Sequence, residues 1–555
     1  MSYSDAVKKA YAIYDKIKVK DFLHVTTTEL NIAYNVLMRM RREEGFREAI
    51  YAERKEDEGL DVLLEKYFAG YNNLHGLDIT ETLTVFDDPD LSVGTYFLVS
   101  TEKDGEEVSP IGLKSGESVH VTASLISRLS EKPVIAKRLR YVVTTDKGES
   151  YEQEVLESDK VEFDLTLDRP GGIRFKVFYE NELGRPVIGS ETAYGGVLFD
   201  IEKIKPTHKA PEDLVPFWQG EIDRLMAVIP TDDTAEGYEG RVSYEYDIPK
   251  KNRFSLTSCD GEYLSELRDA GINGGGEERL SDYELYEVYL KAPGPCPSTA
   301  YITVPRDCEP HSLPIHIVFD GYSAHTPAPI YSKEAISIHC THHGYELKKP
   351  DKDYYNHLNG AGILGSYGRG NGKPNSDYKD IHDCYLLYML LRNLQMIRFA
   401  TDPETARVIP SMLEAYNGRV RVSGGSMGGY QTTCIGGLLE LMKVKHPFYE
   451  VLDLMPNIPA FCNVAGPLEG RAPTGLHTYE EGVDYFDAAI LASLIRADMR
   501  IPRVGLGDET CPHTGISAMV NNIPEGVGVT VNYLQNSSHG YVMDPELQKW
   551  FVYKK

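Results

Sequence analysis

From Ser4 to about Leu74 the apolar residues recur at helical spacing, first as Val7, Ala10, Tyr11, Tyr14 and Ile17, then as Leu30, Ala33, Leu37 and Met40. Thr28 stands where a cap for the second helix is needed. Leu60, Leu63, Leu64, Tyr67 and Phe68 form a third stripe, whose simplest use is packing. Residues 1–76 are therefore predicted as a helical segment.

Beyond Asp78 the period changes to two. Val119, Val121, Ala123 and Leu125 alternate with polar residues, as do Val161, Phe163, Leu165 and Leu167. Pro170-Gly171-Gly172 turns the chain into a further alternating run, Ile173, Phe175, Val177 and Tyr179. With strands near Tyr96–Val99 and Arg140–Val143, residues 77–205 read as an all-β sandwich of immunoglobulin-like type. It carries no visible catalytic constellation, so spacer, oligomer contact and carbohydrate binding all stand open for it.

Pro206 and Pro211 mark a linker, and Glu212–Trp218 opens an amphipathic helix. Residues 206–555 then alternate strand-like and helix-like segments, the signature of an α/β domain with a mostly parallel sheet. Pro314–Phe319, Ala361–Leu364, Val420–Ser423, Arg503–Leu506 and Val529–Tyr533 are its predicted buried strands. Catalytic groups in such sheets sit in loops past the carboxyl ends of the strands.

A formal net charge of -26 disfavours nucleic acid and anionic membrane surfaces, which such a surface repels. The cysteines all lie from Cys259 onward, without CxxC pairs or zinc-like spacing, so neither a structural metal nor a disulfide framework is expected. The first residues form no signal-peptide core and no segment approaches a membrane span. As written the chain reads as cytoplasmic; with a leader removed it would be secreted or periplasmic.

The strongest chemical signal is Gly424-Gly425-Ser426-Met427-Gly428-Gly429-Tyr430, between the strand Arg419–Ser423 and the helix-like run Gln431–Leu441. This is the pattern of a nucleophile elbow of the α/β-hydrolase type, where residues two before and two after the serine must be small because the chain turns sharply. A serine hydroxyl needs a base, and the chain order serine, acid, histidine selects His539, after the strand Val529–Tyr533, over His446, His477 and His513. The acid is placed at Asp508, after Arg503–Leu506, with Glu509 as the neighbour it must be distinguished from. Oxyanion donors are assigned to the amides of Met427 and of Tyr322, in the Asp320-Gly321-Tyr322 loop.

These residues resemble the acetyl xylan esterase and cephalosporin C deacetylase family of carbohydrate esterases. The resemblance runs from about Pro211 to the end and rests on Asp320-Gly321-Tyr322, Gly368-Arg369-Gly370-Asn371-Gly372, the elbow, Tyr485-Phe486-Asp487-Ala488 and Gly507-Asp508-Glu509-Thr510-Cys511-Pro512. It implies hydrolysis of acetyl esters on carbohydrate, no cofactor or metal, a Ser–Asp–His triad, and bracing of the elbow by Arg369 and Asn371. It also implies a homo-oligomer, which an added N-terminal half could block. The family usually has glutamine at the positions of Asn371 and Met427 and glutamate at that of Gly540. Pro456–Asp484 is predicted as a cap over the pocket. Two other readings stand beside this one: a serine peptidase of the prolyl oligopeptidase type, and a glycan-binding protein that keeps the fold without turnover.

Overall fold

The computed structural model describes residues 3–20, 22, 25–53, 59–81, 83, 85, 94–128, 130–181, 184–187, 190–234, 252–321, 327–341, 346–348, 380–472 and 479–555. Its first unit holds four helices, α1 (Tyr3–Lys18), α2 (Thr27–Arg42), α3 (Glu44–Glu53) and α4 (Leu60–His75). They close around one apolar core in which Val7, Leu30, Ile50 and Leu64 are all buried. The cap of α2 is Thr26 rather than Thr28: its hydroxyl accepts from the Glu29 amide at 3.2 Å while the Glu29 carboxylate accepts from the Thr26 amide at 3.0 Å. A threonine two residues earlier wins because only it has glutamate at the third helical position, which completes the reciprocal pair. Helix α3 has no counterpart in the sequence periods, because its buried face is only Phe46 and Ile50, too sparse to announce one.

Eight strands follow: β1 (Thr95–Lys103), β2 (Glu106–Glu107), β3 (Ser118–Ser127), β4 (Ala136–Thr145), β5 (Ser150–Ser158), β6 (Lys160–Thr166), β7 (Gly171–Tyr179) and β8 (Ala193–Phe199). They form two antiparallel sheets, ordered β2-β1-β3-β6 and β5-β4-β7-β8. The alternating residues seen in the sequence face one another across a shared core: Val121, Phe163, Tyr141 and Phe175 all belong to it. Pro170 and Gly171 carry the chain from one sheet to the other, since β6 and β7 are not partners.

Among the described residues the rest is built on a sheet of ten strands, β9 (Ser255–Ser258), β10 (Tyr283–Leu290), β11 (Ser298–Pro305), β12 (Leu313–Phe319), β13 (Ile336–Cys340), β14 (Tyr416–Gly425), β15 (Glu450–Asn457), β16 (Met499–Gly505), β17 (Val529–Leu534) and β18 (Trp550–Lys554). Its order is β18-β17-β16-β15-β14-β12-β13-β11-β10-β9. The central strands, β13 through β17, are parallel, and antiparallel strands finish both margins. This is an α/β architecture. Helices α5 (Leu214–Ala227), α6 (Gly261–Asp269), α7 (Tyr385–Thr401), α8 (Met427–Met442) and α9 (His513–Asn522) flank the sheet, and every residue of α7 is buried. Four of them, α5 and α7 to α9, share one core with the sheet, whereas α6 packs with Tyr289 and Tyr301 in a smaller cluster. Among the described residues no helix is long and apolar enough to cross a membrane.

Four of the five strands predicted in this half are present as β12, β14, β16 and β17; the fifth, Ala361–Leu364, lies outside the described residues. The segment predicted as a cap begins differently: residues 450–457 are β15, and Ala460, Phe461, Cys462, Val464 and Ala465 are core. The buried Asp487 carboxylate holds it there, accepting from the Asn463 and Val464 amides. Near its middle, Arg471 and Ala472 bond to Asp146 of the sandwich, and residues 473–478 lie outside the described residues.

Candidate active site

Ser426 stands between β14 and α8 with φ 57° and ψ -112°, a left-handed backbone that a serine adopts only when its surroundings impose it. The surroundings are the glycines. A Cβ at Gly424 would lie 2.6 Å from the Gly428 carbonyl oxygen and 2.7 Å from that of Phe319, and one at Gly428 would lie 2.9 Å from the Phe319 carbonyl carbon. With no side chain at either place, β12, β14 and the first turn of α8 close up around the serine. The Ser426 amide donates to the Asn457 carbonyl on β15 at 2.9 Å, and its carbonyl accepts from the Tyr430 and Ala460 amides.

His539, in the loop after β17, reaches this turn: its Nε2 is 3.0 Å from Ser426 Oγ, and its Nδ1 is 3.0 Å from Asp508 Oδ2. Asp508 is fully buried after β16, and its other oxygen accepts from the Thr510 and Cys511 amides at 2.8 and 2.9 Å. An ionised carboxylate can only accept, so Nδ1 carries the imidazole proton and Nε2 is left to accept from the serine hydroxyl. The three residues thus form one hydrogen-bonded line, from a buried charge to an alcohol on a strained turn.

Glu509 turns away and pairs with Lys176 of the sandwich at 2.6 Å. Of the other histidines that follow Ser426, His446 bonds to Thr401 at 2.8 Å, His513 is buried in the first turn of α9, and His477 lies outside the described residues. Met427 is the first residue of α8, so its amide has no acceptor within the helix. Tyr322, Arg369 and Asn371 lie outside the described residues.

Asp508, Cys511 and His539 bring a carboxylate, a thiol and an imidazole within 4.8 Å of one another. Both ring nitrogens of that imidazole already face Asp508 and Ser426, which fits a proton relay better than a metal seat.

The sequence did not point to the sandwich as a neighbour of this site. Arg174 on β7 donates to the Asp508 carbonyl at 3.2 Å. Gln535 and Asn536, at the start of the His539 loop, bond to the backbone of β8. The approach is close enough that a Cβ on Gly196 would collide with the Leu506 carbonyl oxygen, and one on Gly507 would lie 2.7 Å from Tyr194 Cβ. On the same side Arg128 pairs with Asp544, and Tyr541 donates to Glu191. Arg503 adds a bond to the His539 carbonyl from within the large sheet, at 3.3 Å. Arg174 reads in the sequence only as a polar position of an alternating strand, and nothing in spacing tells an arginine that faces solvent from one that reaches a neighbouring loop.

No family model and no curated protein matches this sequence. Among solved structures, acetyl xylan esterase 1 from a Thermoanaerobacterium species is similar over 62% of this chain and 93% of its own, at 17% identity and a TM-score of 0.41. An acetyl xylan esterase from a Paenibacillus species gives 16% identity and a TM-score of 0.40 over 62% of this chain and 94% of its own. A hyperthermophilic esterase from the archaeon Pyrobaculum calidifontis gives 12% and 0.28, over 60% and 91%. Likeness of this degree assigns neither fold nor chemistry, which rest on the chain's own geometry.

Proposed function

We propose that this chain is a serine esterase of the α/β-hydrolase type that removes acetyl groups from acetylated carbohydrate through an acyl-enzyme on Ser426. The observation that carries the reading is the line from Asp508 through His539 to Ser426, each link 3.0 Å, on a turn whose backbone is strained at the serine. The chain order serine, acid, histidine and the strand–turn–helix setting of the serine support it.

In the first half-reaction Ser426 Oγ attacks the acetyl carbonyl carbon while His539 Nε2 takes the hydroxyl proton. Asp508 keeps the ring oriented and offsets the charge of the imidazolium. Negative charge on the carbonyl oxygen is met by the Met427 amide, with the Tyr322 amide assigned as the second donor. The bond to the sugar oxygen then breaks, and the sugar leaves as its alcohol with the proton from His539. Water, deprotonated by the same nitrogen, attacks the acetyl-serine and releases acetate. No step calls for a metal or organic cofactor.

The sandwich, two sheets ordered β2-β1-β3-β6 and β5-β4-β7-β8, is read as immunoglobulin-like. Helices and a sandwich preceding the large sheet argue against the peptidase alternative, whose usual partner is a propeller of repeated four-stranded blades. The test is acetate release from acetylated xylan, acetylated xylooligosaccharides, acetylated monosaccharides and cephalosporin C, beside p-nitrophenyl acetate and a proline anilide. Ester turnover that Ser426→Ala lowers by at least about 10⁴-fold is expected. Preference for the anilide, or turnover unchanged by that substitution, would overturn the reading.

A further inference from the structure

We propose that the sandwich is a working part of this site: the outer edge of β8 grips the His539 loop through Gln535 and Asn536, which act as positioning residues for the imidazole. The proposal rests on the reading of Ser426, His539 and Asp508 as a triad and adds to it a contribution from the N-terminal half.

β8 is the last strand of its sheet, bonded to β7 on one side; on the other, Pro110 accepts from the Leu198 amide, and the groups of Tyr194 and Gly196 need partners. Gln535 supplies two at a single residue. Its Oε1 accepts from the Gly196 amide at 3.1 Å and its Nε2 donates to the Gly196 carbonyl at 3.2 Å, so one side chain imitates the paired bonds of an antiparallel ladder. Asn536 does the same across both sheets: its Oδ1 accepts from the Tyr194 amide at 2.9 Å and its Nδ2 donates to the Phe97 carbonyl on β1 at 3.0 Å.

Both amides are 3% exposed, so water cannot replace a lost partner, and a stranded amide would cost about 1–3 kcal/mol. The route from this grip to the imidazole is short. Asn536 has a left-handed backbone, φ 52°, and a bridge between Ser537 and Val542 closes the turn that presents His539. Little chain is left in which a displacement at Asn536 could be absorbed before it reaches the ring. The same edge touches the acid loop, through the close approach of Gly196 to Leu506 and the Arg174 bond to the Asp508 carbonyl. A spacer would need only apolar contact. Here polar side chains converge on the backbone beside the acid and the base.

The test uses the full chain with Gln535→Ala, Asn536→Gly and Asn536→Asp, and with Glu152→Ala, whose exposed pair with Arg140 lies away from the grip, as control. Glycine keeps the left-handed backbone and removes the bonds; aspartate keeps the acceptor for the Tyr194 amide and tolerates that backbone. With p-nitrophenyl acetate, Gln535→Ala and Asn536→Gly are expected to lower kcat by about tenfold or more while KM stays within about twofold, and aspartate, whose second oxygen faces the Phe97 carbonyl where the amide donated, loses at least as much. The control keeps the wild-type kcat. Retained kcat in both loss variants, or a loss that merely tracks the unfolded fraction in a parallel thermal melt, would overturn the proposal. A wild type that does not turn over the ester, or a Ser426→Ala variant that does, would instead fail the triad reading, and this proposal with it.

Discussion

Ser426 stands on a turn made wholly from the large sheet and the helix that leaves it, whereas Asp508 and His539 stand on loops that a separate pair of sheets presses from outside. The serine is fixed by what is missing, the side chains of Gly424 and Gly428, and its geometry is local. Its two partners have local bonds as well, but their loops are also held by what arrives from more than 300 residues earlier in the chain, as with the Gln535 bonds to Gly196. A local device shows in a few consecutive residues; a borrowed one does not.

The sharpest way to break this contrast is at the elbow. Gly428→Ala puts a methyl against the backbone of β12, which cannot move aside, and should cost about 3 kcal/mol of stability, read from the denaturant midpoint. It should also lower ester turnover by roughly 100-fold in the protein that remains folded. A variant with normal turnover would mean that the turn is not what places the serine.

A comparable energy, reached only on acidification, is stored on the outer side of the site. His513, one turn past the acid loop, is held down to about 4 by burial and then by the nearby Arg174 charge. The unfolded chain therefore takes up that proton from pH 6.5 downward while the folded chain does not until about pH 4, so stability falls as the pH drops through this window. The loss is about 3 kcal/mol at its limit. Asp487, pushed up to about 7 by burial, acts in the opposite sense, so the readout is the difference between wild type and His513→Asn in unfolding free energy against pH. The variant should show the shallower decline; parallel curves would remove His513 from the account.

The smallest effect is expected at Glu509. Its pair with Lys176 is half exposed, and such pairs contribute between about 0 and 1 kcal/mol, so Glu509→Gln should leave kcat within about twofold. A large loss would move the acid from Asp508 to its neighbour.

How much of this was legible follows the same division. The elbow, the strands that end at Ser426, Asp508 and His539, and the alternation of the sandwich were all written in local periods and small residues. The elements that escaped had no such period. Helix α3 buries too few residues, and β18 begins and ends in exposed side chains because it is a sheet margin. Pro456–Asp484 reads as a cap because proline, glycine and aromatic residues crowd it, yet in residues 458–466 the same composition builds a tight buried bend when a carboxylate such as Asp487 satisfies its amides. Arg174, Gln535 and Asn536 are ordinary polar residues by themselves. Only the meeting of two distant stretches gives them work.

One consequence concerns what happens if the two halves are parted. Cutting the linker near Pro206 and pulling the sandwich away would strip the Tyr194 and Gly196 amides and the Gly196 carbonyl of their partners, a stretch of edge on which other strands assemble. The loop would in turn lose the backbone that its glutamine and asparagine grip. Neither fragment would be at ease in water, so limited proteolysis of this chain should yield clumped material rather than two tidy pieces.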